Sequence, residues 1–221
     1  MQQRSAMILT KLFLASSNPG KLREYVELAR GTAVTIELLP RFGEFPSFDE
    51  SAPTFAENSA GKALHYSRFT DGAVLADDSG LVVPVLNGAP GVHSARYAGP
   101  GATDPDRVQK LLREMRGKEG AARRARFVCV TAVARAGRAI AVVSDLARGV
   151  ITEAPRGAGG FGYDPVFLFE ELNRTYAELT PDEKNGYSHR GKSFSKLLYM
   201  ITQENIAPSP GAEASNPPRV K

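Results

Sequence analysis

The sequence contains no tryptophan and a single cysteine, Cys129, so an internal disulfide is excluded. Cys129 lies in an apolar, β-branched run, residues 126–133, which predicts a buried strand and a packed core thiol rather than a nucleophile. Histidine is also scarce. Because His65 and His93 have no partner at metal-ligand spacing, the sequence argues against a zinc site.

Long apolar runs are missing as well. No segment approaches the roughly 18 consecutive apolar residues of a membrane span, and the N-terminal residues lack the pattern of a secretory signal. We therefore expect a cytoplasmic protein with no membrane contact. The 221 residues fit one domain, expected over residues 1–206, and the polar, Pro-rich stretch 207–221 is predicted to be a disordered tail.

The charge balance is only mildly basic. The chain carries 28 Lys and Arg against 24 Asp and Glu, a net charge of +4. This excess suits an anionic partner, and a nucleotide fits it as well as a nucleic acid does. We interpret the basic run 123–126 as a solvated strand edge and expect no stable nucleic-acid partner.

Hydrophobic patterning alternates between strand-like and helix-like segments. Helices are predicted to follow the caps at Asn18 and Thr54, to begin at Asp104, and to span about residues 192–205. Strands are predicted at residues 8–15, 34–38, 73–78, 81–86, 125–134, 139–149 and 165–169, with a turn at Ser79-Gly80 and a hairpin turn near Gly137. This order indicates an α/β fold, a mixed sheet with flanking helices.

Two motifs match nucleotide-binding templates out of context. GYSHRGKS at residues 186–193 fits the P-loop pattern, and GAGGFG at residues 157–162 fits the dinucleotide fingerprint. A P-loop needs a buried strand before it, whereas TPDEKN precedes this one, and the fingerprint must open a helix, whereas Tyr163-Asp164-Pro165 follow. We reject both templates.

A better-placed phosphate site is the turn SSNPGK, residues 16–21. Here a predicted strand runs into a helix with Asn18 as N-cap and Pro19 as first helical residue. Free N–H groups and the helix dipole at such a turn attract phosphate, and Lys21 adds a full charge. Taken alone, an ordinary capped helix with an exposed lysine would be the favoured interpretation.

Two places in the sequence carry adjacent acidic residues. Asp77 and Asp78 end an apolar strand, so their side chains face opposite ways and only one can face a given cleft. Asp78 is the better candidate for holding a metal or activating water, while Asp77 would tie down the turn. Asp49-Glu50 could supply a second oxygen ligand, although such a pair is more often simply solvated.

Two further segments suit recognition of a base. Residues 161–164, Phe-Gly-Tyr-Asp, offer an aromatic plate beside a glycine that allows close approach. Residues 188–190, Ser-His-Arg, offer donors for a base edge or a phosphate, and arginine can make paired hydrogen bonds.

Taken in order, these motifs and GAPGVHSARY at residues 88–97 resemble the inosine triphosphate pyrophosphatase family, from Leu12 to Met200. The resemblance implies a Mg²⁺-dependent hydrolase that cuts pyrophosphate from noncanonical purine triphosphates (ITP, dITP, XTP), and a homodimer with two lobes around a deep cleft. It implies catalysis by Asp78 and metal binding by Asp49 and Asp78. The implied substrate contacts are Ser16, Ser17, Asn18, Pro19, Gly20, Lys21, Ser79, Phe161, Gly162, Tyr163, Asp164, Lys184, His189 and Arg190.

The chain departs from the family pattern twice. Where the family commonly has a glutamate as loop metal ligand, this chain aligns Asp49, followed by Glu50, and either could bind. Ser16-Ser17 replaces the usual Thr-Gly at the start of the phosphate turn. Two other interpretations stay open: a catalytically inactive nucleotide-binding or regulatory protein, and a nucleic-acid-binding protein.

Overall fold

The computed structural model describes residues 9–202. Five α-helices lie in this range, at Pro19–Ala29 (α1), Phe55–Tyr66 (α2), Asp104–Glu114 (α3), Pro181–Tyr187 (α4) and His189–Thr202 (α5). Seven strands lie at Lys11–Leu14 (β1), Thr35–Leu38 (β2), Ala73–Val82 (β3), Arg124–Arg135 (β4), Arg138–Ile151 (β5), Phe167–Phe169 (β6) and Arg174–Thr175 (β7). None of the helices in this range is both long and apolar enough to cross a membrane.

The seven strands form one sheet in the order β2-β1-β3-β4-β5-β6-β7. Strands β2, β1 and β3 are parallel, and each later pairing is antiparallel. Helices α1 and α2 provide the crossovers that parallel neighbours require, whereas β4 and β5 are joined by a tight hairpin. The predicted α/β fold with a mixed sheet is confirmed.

Side-chain caps fix where the helices begin. Asn18 Oδ1 accepts from two N–H groups of α1, and Thr54 caps α2, as the sequence predicted. Helix α3 begins behind a capping box between Thr103 and Asp106. A further capping box, between Thr180 and Glu183, begins α4. This helix was not predicted, although its capping-box signature is present in the sequence.

Several predicted boundaries were wrong. Residues 73–82 form one continuous strand, not two strands around a turn at Ser79-Gly80, because β4 pairs along the full length of β3. Gly80 serves close approach instead: a Cβ there would lie 2.5 Å from the Gly91 carbonyl oxygen. Helix α5 begins at His189, and residues 164–166 are a 3₁₀ turn before β6.

The basic run 123–126 is not at an edge of the sheet, although Arg124 and Arg126 are exposed as expected. Strand β4 lies between β3 and β5, and Arg123 donates to the carbonyls of Met115, Lys118, Ile151 and Thr152. Arg123 therefore ties the end of α3 to the end of β5. Both template motifs were rightly rejected. Residues 186–193 span the end of α4 and the start of α5, so no strand runs directly into them. Residues 157–162 open no α-helix.

The hydrophobic core is divided along the sheet. One cluster packs α1 and α5 against one face of β1 to β5, and another packs α2 against the opposite face. A third joins α3 to the far ends of β3 to β5 and to β6. Cys129 is fully buried, as predicted. Two lobes and a single domain over residues 1–206 stay predictions, and the expected tail, residues 207–221, falls outside the described range.

We expect Gly191→Ala to lower the free energy of unfolding by about 3 kcal/mol, because its Cβ would lie 1.9 Å from the Asn185 carbonyl oxygen, where α4 turns into α5. The matched control is Gly186→Ala on α4, where nothing lies within 4 Å of the new methyl group. It should be neutral or stabilising by up to about 1 kcal/mol. Urea unfolding measures both, and equal stabilities would contradict the packing argument.

Candidate functional site

A cavity of about 530 Å³ opens beside the core clusters that contain α2 and α3. The turn after β1, the middle of β3, the loop before α2, the loop after β5 and the α4–α5 junction each contribute to it. Its lining includes these predicted site residues: Ser16, Ser17, Asn18, Lys21, Asp49, Glu50, Asp78, Ser79, Phe161, Gly162, Tyr163, Asp164, Lys184, His189 and Arg190. The remaining two, Pro19 and Gly20, form the first turn of α1.

The turn after β1 is ordered by its own side chains. Asn18 Oδ1 accepts from the N–H groups of Gly20 at 2.8 Å and Lys21 at 3.2 Å, and Ser16 Oγ accepts from Asn18 N–H. The N–H groups that the sequence suggested as free for phosphate are therefore partly occupied by the cap. Lys21 Nζ lies 2.8 Å from Asp77 Oδ1, at the wall of the cavity.

Asp77 and Asp78 face opposite ways, as the strand geometry requires. Asp78 lines the cavity, where its carboxylate accepts from Asn58 Nδ2 at 3.0 Å. Burial raises the pKa of Asp78, against the opposing effects of Lys21 and the Asn58 hydrogen bond. Asp77 is enclosed on the other side. Burial also acts to raise the pKa of Asp77, but Lys21 and Arg190 outweigh it and hold that pKa far below its usual range.

Six charged side chains form a continuous, alternating chain along the wall of the cavity, which we call the charge chain. In order, its members are Asp164, Lys184, Glu24, Arg190, Asp77 and Lys21. Lys184 bridges Asp164 and Glu24, with its Nζ 2.6 Å from Glu24 Oε1, and Arg190 bridges Glu24 and Asp77. The charge chain thus connects the loop after β5 to the turn after β1.

Glu24 was missed by the sequence analysis, although it lies three residues after Lys21 on the same face of α1. Burial acts to raise its pKa, but Arg190 and Lys184 together lower it below its ordinary value. Burial dominates at Asp164 and raises the pKa of that carboxyl. For Lys184, burial acts to lower the pKa, and the nearby Asp164 and Glu24 carboxylates raise it overall.

The loop after β5 places Phe161 against the turn after β1. The ring would lie 2.7 Å from a Cβ at position 20, so the glycine there makes room for it. Lys184 Nζ and Arg190 Cζ lie 5.0 Å and 5.6 Å from the ring centroid. Tyr163 donates its hydroxyl hydrogen bond to the Ser94 carbonyl at 2.9 Å, which leaves Phe161 as the aromatic plate of this segment.

His189 and Arg190 occupy the inner wall of the cavity. The His189 ring stacks on Phe127 at a centroid distance of 4.6 Å, and its buried Nδ1 has no hydrogen-bond partner within residues 9–202. Burial, with the charges of Arg190 and Lys184, lowers the pKa of His189 well below its ordinary value. Arg190 donates to Glu24, Asp77 and Ser79 Oγ, so these N–H groups are already hydrogen-bonded within the protein.

The loop carrying Asp49 and Glu50 is anchored on α2. Tyr66 Oη accepts from the Phe48 N–H at 3.2 Å, and the Phe48 ring fills the space left by Gly61. Lys62, a buried lysine of α2 that the sequence analysis also missed, pairs with Glu50 at 2.9 Å. Lys62 and Asn58 lie four residues apart on α2 and so share a helix face. This spacing was the sequence signal that could have identified Lys62 as a site residue.

The donor set of the cavity fits a magnesium ion held jointly with phosphate. No group of three or more acidic, histidine or cysteine side chains in the described residues is close enough to hold a metal alone. Asp78, Asp49 and Glu50 nevertheless line one cavity. Mg²⁺ commonly takes one or two carboxylates and completes its coordination with substrate phosphates and water, so an incomplete protein site is what it needs.

Comparison with known proteins identifies the family. The profile of the Ham1 family matches residues 12–200. The chain belongs to the Ham1 family. It is 49% identical over 189 residues to a dITP/XTP pyrophosphatase of Geobacillus kaustophilus, covering 86% of this chain and 93% of the relative. It is 40% identical over 195 residues to one of Bacillus subtilis, covering 88% and 98%.

Solved Ham1 structures show the same fold. A HAM1 protein from Coxiella burnetii superposes with a TM-score of 0.77 at 40% identity, covering 88% of this chain and 99% of that one. The Ham1 protein of Staphylococcus aureus gives 0.76 at 32% identity, covering 87% and 98%. The family resemblance drawn from the motifs is therefore confirmed, and the Ham1 fold places those motifs along one cavity in this chain.

The buried His189 predicts a pH dependence of stability. Its folded pKa is depressed, so between that value and the ordinary value of 6.5 the unfolded chain binds the extra proton. Stability is therefore retained above the ordinary pKa and lost as pH falls below it, by about 1 kcal/mol from about pH 7 to 5.5. Urea unfolding at both pH values measures this loss. It should shrink in His189→Gln, and an unchanged loss would contradict the assignment.

Proposed function

We propose that this chain hydrolyses noncanonical purine nucleoside triphosphates, ITP, dITP and XTP, to the nucleoside monophosphate and pyrophosphate. The observation that carries the proposal is that the turn with Lys21 and the carboxylate of Asp78 line the same cavity, within reach of one small molecule. The names of the Geobacillus and Bacillus relatives support the substrate class. The proposal keeps the cytoplasmic location expected from the sequence.

The triphosphate binds at the turn after β1. Ser16, Ser17, Asn18 and Lys21 line the cavity there, and the N-terminal end of a helix favours negative charge. Lys21 is paired with Asp77 on one side and reaches the cavity wall on the other, so it is held in place to meet a phosphate. Lys62 adds a second buried cation beside the acidic loop.

Asp78 is the general base. Burial raises its pKa towards the working range of a base, and the Asn58 amide fixes one carboxylate oxygen. Asp78 takes a proton from water, which attacks the α-phosphorus, and the bond from that phosphorus to the bridging oxygen breaks. Pyrophosphate then leaves from the Lys21 side.

Asp78 and one acid of the loop before α2 would hold Mg²⁺. Glu50 is already neutralised by Lys62, whereas Asp49 accepts from Ser51 Oγ at 2.7 Å. This difference favours Asp49 as the loop ligand. When bound, the ion would neutralise negative charge on the phosphate oxygens.

The base binds beside Phe161, with Lys184, His189 and Arg190 at the inner end of the cavity. His189 offers a buried ring nitrogen without a protein partner, and its lowered pKa keeps the ring neutral. A 6-oxo purine pairs with donors at this end. A 6-amino group leaves them unpaired at a cost of about 1–3 kcal/mol each, which provides discrimination against adenine.

Asp78→Asn tests the proposal directly. We expect the variant to bind ITP but to release pyrophosphate at least about 100-fold more slowly, because the amide cannot accept the proton from water. Pyrophosphate release with Mg²⁺ and after its removal measures turnover, and calorimetry measures binding. Asp182→Asn, an exposed acid on α4, is the control and should leave turnover unchanged.

Each other outcome has a distinct meaning. If wild-type protein binds ITP without releasing pyrophosphate, the inactive nucleotide-binding interpretation replaces the enzyme. Strong salt-dependent duplex binding without turnover would instead favour a nucleic-acid-binding protein. Comparison of ITP, dITP, XTP and ATP at saturating Mg²⁺ ranks the substrates, and equal turnover of ATP would contradict the base specificity.

The proposed enzyme is a homodimer. Its support in this chain is an exposed apolar surface on both sides of the β5 edge. Ile140 and Val142 lie on the face of β5 away from α5, and Tyr199 and Met200 lie on α5; they are 40%, 45%, 66% and 54% exposed. Among the described residues, β6 pairs with β5 only at Val150 and Ile151, so most of that β5 edge is open. An open edge next to apolar side chains suits a second copy.

Light scattering should give twice the chain mass of 23.8 kDa for wild-type protein. Val142→Lys should shift the protein towards the monomer, because it introduces a charge into the apolar surface. The control is Val26→Lys on α1, an apolar position with 42% exposure on another element, which should leave the mass unchanged. A monomeric wild-type protein would remove the dimer from the proposal.

A further inference from the structure

The loop that carries Phe161 is held by two carboxylates, one from its own segment and one from a distant part of the chain. The Phe161 N–H donates to Asp164 Oδ2 at 2.8 Å, and the next N–H, of Gly162, donates to Asp104 Oδ2 at 2.7 Å. Asp164 belongs to the same segment, but Asp104 lies 58 residues earlier, at the first position of α3. Two consecutive N–H groups are therefore fixed from opposite sides of the loop.

Asp104 is itself oriented by a neighbour. Its other oxygen pairs with the guanidinium of Arg107, which also donates to the carbonyls of Ala95 at 2.9 Å and Ala102 at 2.6 Å. The side chain of Arg107 is 17% exposed, and that of Asp104 is 38% exposed. Both residues line the cavity. The carboxylate is thus held in one orientation towards Gly162.

The side chain of Asp104 is not required to begin α3. The N-cap is Thr103 and the reciprocal capping partner is Asp106, so the box that bonds the N–H groups of these two residues does not use the Asp104 side chain. Gly162 has φ of +64°, a conformation that few other residues tolerate, and its N–H needs an external acceptor to stay fixed. Asp104 provides that acceptor.

We propose that Asp104 is a positioning residue that fixes the Phe161 loop over the cavity through the Gly162 N–H. Phe161 lies between this anchor and the Gly20 turn, so its ring is placed by α3 on one side and by α1 on the other. The effect on nucleotide binding rests on the proposed function. Without the anchor, the Phe161 ring that contacts the base is no longer held in position. The Lys21 turn stays intact.

Hydrogen exchange of wild-type protein, Asp104→Ala and Asp106→Ala tests the anchor without any substrate. Peptides covering residues 157–164 should exchange faster in Asp104→Ala, because the Gly162 N–H loses its acceptor. Asp106→Ala removes an acid from the same helical turn, together with the reciprocal half of the capping box, and should leave this segment unchanged. Unchanged exchange in Asp104→Ala, or equal acceleration in both variants, would overturn the proposal.

Kinetics provide the second readout. Asp104→Ala should raise KM for ITP about 10-fold, the effect of losing one charge-assisted hydrogen bond, with a smaller change in kcat. Inhibition by inorganic tripolyphosphate, which has no base, should be unchanged, and Asp104→Asn should recover part of the loss because it keeps an acceptor oxygen. Equal weakening of tripolyphosphate would overturn the positioning role. Absence of ITP turnover in wild-type protein would contradict the proposed function. Hydrogen exchange would still show whether Asp104 anchors the Phe161 loop.

Discussion

The site depends on the charge chain in its wall. An isolated ion in the interior costs several kcal/mol, and removing one partner of a buried pair leaves the other uncompensated. Each of the six members therefore requires its neighbours, and Arg190, 2% exposed, bridges Glu24 and Asp77 at the centre. Because the members come from α1, β3, the loop after β5, α4 and α5, pairing them fixes those elements relative to one another.

The charge chain also explains why adjacent aspartates differ. Asp77 is compensated by Lys21 and Arg190 and has become part of the scaffold. Asp78, on the opposite side of β3, contacts a neutral amide and faces the cavity. Its charge is compensated less completely than that of Asp77, and burial raises its pKa. The same strand thus supplies one structural acid and one candidate for chemistry.

Three glycines allow close packing around the site. Gly20 admits the Phe161 ring, Gly61 admits the Phe48 ring beneath the acidic loop, and Gly191 lets α5 begin against the end of α4. In each case a side chain would displace an element that carries a site residue. Close approach, rather than turn formation, is the physical reason for these glycines.

Sequence alone determined what local physics controls. Period-two and helical patterning gave the α/β class, Asn18 and Thr54 marked the beginnings of α1 and α2, and alternation along β3 separated Asp77 from Asp78. The Ham1 resemblance followed from motif order. Tertiary structure decided the rest: that residues 73–82 are one strand, that Arg123 donates to four backbone carbonyls, and that Glu24, Lys62 and Asp104 belong to the site. Those roles arise from contacts between segments far apart in the chain, which no local pattern records.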